Sequence, residues 1–226
     1  MLYYKDMVRL ARVVAIGAAH HITQRGNRRQ KVFFHDEDYA EYLRLMREWC
    51  DKCGVEVWAY CLMPNHVHLI AVPESCESLA RGIGEAHRRY TRMINFRENW
   101  RGYLWQGRFA SYPLDDQYLL TAARYVELNP VRARLVKEPK LYEWSSANAH
   151  ILSRDDVLVK ATPLCEIAGV DWEEFLREGM KRGEANLLRQ HERTGRPLGS
   201  ENFVKRLERR LERALRPQKR GPKPRE

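Results

Sequence analysis

An α+β sandwich of the ferredoxin-like kind, with a mostly antiparallel sheet flanked by helices, is the fold class this sequence predicts. Three observations carry it. Segments of strand and helix character follow one another in the order β, α, β-β, α, β, α. Two β-rich runs, EVWAYCLM (56–63) and HVHLIAV (66–72), flank a Pro64-Asn65 turn and read as a hairpin of core strands. The segments between strands carry apolar residues at helical spacing.

Taken in order, the stretch VVAIGAA after Arg12 is too short for a signal sequence and runs straight into strand-like residues, so it reads as the entry to the fold. HHITQRG (20–26) alternates and ends at Gly26 as a first strand. The basic loop NRRQK follows. Tyr39, Tyr42, Leu43, Leu45, Met46 and Trp49 then fit one helix, stopped by Gly54. After the hairpin, residues 78–99 predict a second helix, its start weakened by Gly82 and Gly84. GYLWQGRFASYPL (102–114) predicts a strand pair or one bent strand. Residues 115–136 open with aspartates suited to N-capping and predict a helix up to Asn129-Pro130.

From about residue 150 the character changes, giving a division into 1–150 and a small basic helical extension, 151–226. Its first part predicts short helices with polar links. Phe203, Leu207, Leu211 and Leu215 mark one apolar stripe on a helix at 200–215, with a DNA-binding and a partner-binding role equally open. The tail, 216–226, is rich in Pro, Lys and Arg and is expected to be disordered.

The formal net charge of +10 favours a polyanionic partner, nucleic acid before an anionic membrane surface. No run approaches the roughly 18 apolar residues a membrane span requires. Five cysteines without regular spacing argue for reduced thiols in a cytosol. Cys50 and Cys53 form a lone C-x-x-C with no second pair, which reads as a packed helix end rather than a zinc site.

His66 and His68 lie two residues apart on the second hairpin strand and therefore project to one face, with Ile70, while Val67, Leu69 and Ala71 project to the other. Two neutral imidazoles so placed can converge on a cation. From that pattern alone, a ligand pair and two satisfied polar side chains remain equally open. Tyr125 and Asn129 are i and i+4 on a helix and share a face. By themselves they read as a core tyrosine and a helix stop.

Together, HITQRGNRRQ, AYCLMPNHVHLI, LWQGRF, YVELNPVRARLV and EWSSA arrive in an order and spacing that closely resemble the REP-associated tyrosine transposases, within the single-tyrosine HUH superfamily. The resemblance spans roughly the first two thirds of the chain. It implies that His66, His68 and Asn129 bind a divalent metal, Mg²⁺ or Mn²⁺, where insertion-sequence relatives often carry Gln in place of Asn. It further implies that Tyr125 attacks a DNA phosphodiester, and that the substrate is a single-stranded hairpin of a repeated extragenic palindrome cut beside a short tetranucleotide. It favours a monomer over a dimer and a cytoplasmic, nucleoid-associated protein. The chemistry suits the residues, since a phenol with a free pKa of about 10 needs help to act as a nucleophile at neutral pH.

For holding the DNA, Arg25, Asn27, Arg28 and Arg29 follow the first strand, and Arg88, Arg89, Arg92 and Arg108 lie in a segment interleaved with Tyr90, Phe96, Trp100, Tyr103, Trp105 and Phe109. Guanidinium–phosphate contacts would supply affinity and aromatic faces could stack unpaired bases. Several of these aromatics are equally readable as core. Two other functions stay open: a nucleic-acid-binding module with structural histidines, and a related HUH replication initiator or relaxase.

Overall fold

The computed structural model describes residues 11–217; residues 1–10 and the basic tail from 218 on, where disorder is expected, lie outside the described residues. Strand β1 (His20–Arg25) leads through a tight turn to helix α1 (Asp36–Lys52), then to strands β2 (Val55–Met63) and β3 (His66–Pro73), helix α2 (Ser78–Arg97) and the short strand β4 (Ala110–Pro113). The four strands form one sheet in the order β2-β3-β1-β4, every neighbouring pair antiparallel. The expected α+β sandwich with helix-flanked antiparallel sheet is thus observed.

The pleat sorts side chains as the alternation predicts. Val67, Leu69 and Ala71 point into one core with Ile22 of β1 and the apolar faces of α1 and α2. Ile70 points into the other. Full burial of a residue such as Leu69 contributes about 1.5–3 kcal/mol. Helix α1 starts where Asp38 accepts from the backbone N–H groups of Phe34 (2.8 Å) and His35 (3.2 Å), and its three first-turn acids suit the positive end of the helix. Arg97 at the end of α2 binds the same Asp38 carboxylate, tying the two helices together. Gly82 has a reason to be in α2. A Cβ there would sit 3.1 Å from the Trp49 carbonyl oxygen and 3.3 Å from a Val55 methyl, so the close approach of α2 to α1 and β2 needs glycine. Cys50 and Cys53 end α1 as free thiols, the first buried, as the helix-end reading expects.

The segment 102–114 departs from expectation. Only Ala110–Pro113 is a strand; the preceding stretch is a loop held to the end of β1 by a bridge from Gly26 to Trp105 and by hydrogen bonds from Gln106 N to Arg25 O (2.9 Å) and from Gln24 Nε2 to Gly107 O (2.7 Å). Leu104, Trp105 and Phe109 are buried one at a time from that loop, so their β-forming character serves core filling and not pairing.

On the sheet's second face lies helix α3 (Asp116–Glu127), followed after the single residue Leu128 by the one-turn helix α4 (Asn129–Arg132). Backbone bonding runs across the break, from Leu128 N to Arg124 O and from Arg132 N to Leu128 O, both 2.9 Å. Pro130 falls in the first turn of α4, where a missing N–H costs little. The chain goes on through α5 (Ala147–Ile151), α6 (Thr162–Ala168), α7 (Trp172–Arg177), α8 (Glu184–Thr194) and α9 (Glu201–Leu211). Leu164, Trp172, Phe175, Leu176 and Leu188 from these helices join the core on the α3 side. Helix α9 packs Phe203 and Leu207 on Val13 and Ala15. The expected stripe is kept, but the helix stops at Leu211 because Glu212 adopts φ 48°, and Leu215 reaches the same cluster from the following turn.

A buried polar cluster pins the end of α3. Glu127, fully buried, accepts hydrogen bonds from Ser146 Oγ (2.5 Å), His150 Nδ1 (2.6 Å) and Trp172 Nε1 (2.7 Å). Burial alone would lower the His150 pKa, but the Glu127 carboxylate beside it outweighs burial and raises the value.

Candidate active site

Register decides what faces what. His66 pairs with Arg25 and Met63, and His68 with Thr23 and Cys61, so Arg25, Thr23 and His21 of β1 share the face of the two histidines. Helix α3 crosses that face and lowers Tyr125 onto it. The phenol ring stands nearly perpendicular to His68, centroids 5.6 Å apart at 84°, and to His21, 5.9 Å apart at 80°. The rings of His66 and His68 are 5.1 Å apart. The Arg132 guanidinium covers Tyr125 at 4.3 Å from the ring centroid. One chain therefore brings His66, His68 and Tyr125 together, with Asn129 buried a helical turn beyond the tyrosine.

Electrostatics hold the imidazoles neutral. Burial, then Arg25, pushes His66 down to about 3. Burial first, then the neighbouring His66, His21, Arg25 and Arg132, pushes His68 well below its ordinary value. Neutral imidazole is the ligating form. In each ring Nδ1 is occupied, by Asn65 Oδ1 at 2.6 Å for His66 and by His21 Nε2 at 3.0 Å for His68, and Nε2 has no partner among the described residues. Asn65 Nδ2 donates to the Arg29 carbonyl (3.1 Å), which turns its amide oxygen to His66. His66 Nδ1 must then carry the proton, leaving Nε2 a bare lone pair.

Asn129 Nδ2 is buried without a hydrogen-bond partner among the described residues. A half-turn of the amide exchanges its nitrogen and oxygen, so either end can be offered to a ligand. Among the described residues no group of three His, Cys, Asp or Glu side chains is arranged to hold a metal. A cation between these histidines would take its third protein ligand from an amide, and the donor set, two imidazoles and an amide oxygen, fits a divalent ion.

A family model for IS200-like transposases matches residues 16–129, just over half of the chain and the part that builds β1 to Asn129. The chain belongs to the IS200-like transposase family. A Haemophilus influenzae protein bearing the name REP-associated tyrosine transposase is 29% identical over 121 residues, which cover 48% of this chain and 69% of the relative. A solved REP-associated tyrosine transposase bound to a REP hairpin superposes with a TM-score of 0.53 at 18% identity, covering 67% of this chain and 90% of that one. The resemblance drawn from the motifs is matched on all these counts, and the family is one of DNA-processing enzymes.

The basic residues of this IS200-like transposase divide in two. Arg25 lies on the site face, and Asn27, Arg28 and Arg29 form the turn at the end of β1, with Arg28 and Arg29 at φ 50° and 62°. Arg88, Arg89, Arg92 and Arg108 belong to α2 and the 99–109 loop, behind the sheet as seen from Tyr125. Glu85 engages Arg88 (2.6 Å) and Arg89 (3.0 Å), while Arg92 and Arg108 are exposed without a carboxylate partner among the described residues. Of the interleaved aromatics, Tyr90, Trp105 and Phe109 are core, whereas Phe96, Trp100 and Tyr103 are exposed. Tyr103 and Arg108 line two adjoining cavities of about 460 and 450 Å³ along α2.

Sequence reading passed over three residues at the site. His21 was placed only within the first strand, Asn65 only in the hairpin turn, and Arg132 only within the run YVELNPVRARLV. The first could have been found by pairing the His20-His21 doublet with the H-x-H strand, since adjacent antiparallel strands put their alternate residues on one face.

Proposed function

We propose that this transposase is a metal-dependent single-strand DNA endonuclease and strand transferase acting at hairpins of repeated extragenic palindromes. His66, His68 and Asn129 would hold Mg²⁺ or Mn²⁺, and Tyr125 would be the nucleophile. The observation that carries the reading is the perpendicular packing of the Tyr125 phenol on His68 beside a neutral, lone-pair-bearing His66. The likeness to a transposase that binds a REP hairpin supports the choice of substrate.

Tyr125 Oη attacks the scissile phosphorus, the phenolic proton leaves to solvent, and the bond to the 3′-oxygen breaks. A 5′-phosphotyrosine and a free 3′-hydroxyl result. Attack of a 3′-hydroxyl on that phosphotyrosine reverses the exchange and joins strands without an outside energy source. A bound divalent ion would polarise the phosphate and offset the charge that develops on its oxygens. Arg132, whose guanidinium covers the phenol ring, is placed to contact the same phosphate. Arg25 and the Asn27–Arg29 turn line the approach on the histidine side, and Arg92 and Arg108 extend the cationic surface behind the sheet. Nucleophile and histidines come from one chain, which supports action as a monomer, with residues 1–150 carrying the chemistry and 151–226 as a helical extension.

Incubation with end-labelled hairpin DNA and Mn²⁺ is expected to give a covalent protein–DNA adduct that survives denaturing electrophoresis. Tyr125→Phe should give none. Adduct formation by that variant would overturn the assignment of Tyr125 as nucleophile, and salt-sensitive binding without cleavage under any divalent ion would remove the enzyme reading and leave a binding module.

A further inference from the structure

We propose that His21 is a positioning residue whose ring, anchored through Tyr112 on the carbonyl of Leu188, fixes His68 in the tautomer with a bare Nε2. The inference rests on the reading of His66 and His68 as metal ligands.

Four groups make one chain of hydrogen bonds. His68 Nδ1 and His21 Nε2 are 3.0 Å apart, His21 Nδ1 and Tyr112 Oη 2.8 Å, and Tyr112 Oη donates to Leu188 O over 3.2 Å. The two imidazole rings are 9° from parallel with centroids 5.2 Å apart. That separation is the N···N distance plus the two ring radii, so the rings lie edge to edge in nearly one plane. In-plane alignment points a nitrogen lone pair straight at an N–H, the geometry of a directed bond and not of a π stack.

Only two polarities are available to such a chain, because each neutral imidazole has one N–H and one lone pair and the phenol has one proton. The anchor selects between them. A carbonyl oxygen only accepts, so the Tyr112 proton goes to Leu188, and Tyr112 Oη accepts from His21 Nδ1–H. His21 Nε2 is then a lone pair and accepts from His68 Nδ1–H, which leaves His68 Nε2 unprotonated. The opposite polarity would place a proton on His68 Nε2 and leave that ring no nitrogen to offer. His21 is fully buried with both ring nitrogens engaged in the chain, so the ring acts as a relay of orientation.

Asn65 acts on His66 in the same way through a separate chain ending on the Arg29 carbonyl. Each imidazole of the H-x-H pair thus has its own anchor on a backbone carbonyl, one at the β1 turn and one on helix α8. Outer partners of this kind orient a ligating ring and raise its basicity, and their loss costs about 10–100-fold in metal affinity.

The test begins with the metal-free wild-type protein. Long-range ¹H–¹⁵N correlation spectra at neutral pH should show His21, His66 and His68 all as Nδ1–H tautomers; an Nε2–H signal for His68 overturns the proposal. Mn²⁺ affinity is then read by the electron paramagnetic resonance of free Mn²⁺. His21→Phe, which keeps ring volume but not the acceptor, should weaken it about 10–100-fold. His21→Gln, whose amide oxygen can accept from His68, should recover part of the loss, and Tyr112→Phe should lose less than His21→Phe. Wild-type affinity in both His21→Phe and Tyr112→Phe sinks the inference, provided His68→Ala lowers it. Should His68→Ala leave Mn²⁺ binding unchanged, the metal-site reading itself fails. Circular dichroism and metal-free hairpin binding report folding, and if His21→Phe does not fold, the wild-type tautomers and Tyr112→Phe decide.

Discussion

The two faces of the sheet take alternate residues of the same strand and treat them in opposite ways. Behind the sheet, Val67, Leu69 and Ala71 vanish among the rings of α1 and α2. In front, His66 and His68 keep one ring nitrogen each without a partner among the described residues, and Asn129, a helical turn beyond Tyr125, has an orphaned amide end. The back is closed by apolar packing, although the indole N–H groups of Trp49 and Trp105 are orphaned there too; it is the front that sets imidazole lone pairs beside a phenol, an arrangement a cation and a phosphate could complete.

The sharpest break of this comparison pairs one substitution from each face. Tyr125→Phe removes a hydroxyl that makes no protein hydrogen bond among the described residues, so the unfolding free energy should move by less than about 0.5 kcal/mol. Cleavage of hairpin DNA should nevertheless fall by at least about 10³-fold, as for removal of a covalent nucleophile. Leu69→Ala should do the reverse. It opens a cavity in the closed face and should cost about 2–5 kcal/mol by urea titration, while cleavage per folded molecule is unchanged. A Leu69→Ala protein that folds fully yet cleaves poorly would mean that the faces are not separable.

A second cut goes through the cluster that fixes the nucleophile's helix. Glu127→Ala leaves His150, Ser146 and Trp172 facing a hole without their shared acceptor, which should cost about 3–5 kcal/mol in all. Because Glu127 lies two residues beyond Tyr125, cleavage by the folded fraction should fall as well. If urea titration shows the loss but the folded fraction cleaves normally, α3 is held in place by its apolar face alone.

Much of this was legible in advance, and the pattern of what was not has physical causes. Alternation marked β1 and told Val67 from His68 on β3, because a strand between two layers must sort its residues by face, while β2 was read from its β-forming residues and the Pro64-Asn65 turn. Tyr125 and Asn129 could be read as sharing a helix face even though the helix breaks at Leu128, since the bonding continues across it. The loop at 102–109 was unreadable as a loop: its Leu, Trp and Phe are buried singly, and composition alone does not distinguish that from pairing. Ion pairs were equally hidden. Arg88 and Arg89 carry the same charge as Arg92 in the sequence, and only the shared turn with Glu85 separates them. His21 was missed because its role depends on register, which a single sequence does not print.

The finest test of the closed face uses a histidine that sits behind the sheet and outside the proposed chemistry. His87 on α2 takes a 2.8 Å hydrogen bond with Tyr42 Oη at Nε2 and lies among Tyr42, Trp105 and Phe109. Burial first, then the charge of Arg12, pushes its pKa from 6.5 down to about 3. Below pH 6.5 the unfolded chain therefore takes up a proton that the folded chain refuses, and stability falls as pH falls. The slope approaches about 1.4 kcal/mol per pH unit for one such group and ends near its folded pKa. His20, lowered to about 4, adds to the same trend, whereas His150, raised by Glu127, opposes it because its contribution is fully present at low pH. Subtracting two curves isolates one residue. Urea unfolding of wild type and His87→Gln in metal-free buffer should differ by an amount that shifts in the variant's favour by about 1.4 kcal/mol per unit between about pH 6 and 4. Parallel curves would mean that His87 accepts a proton inside the folded core, and the face behind the sheet would then be as open to titration as the face in front.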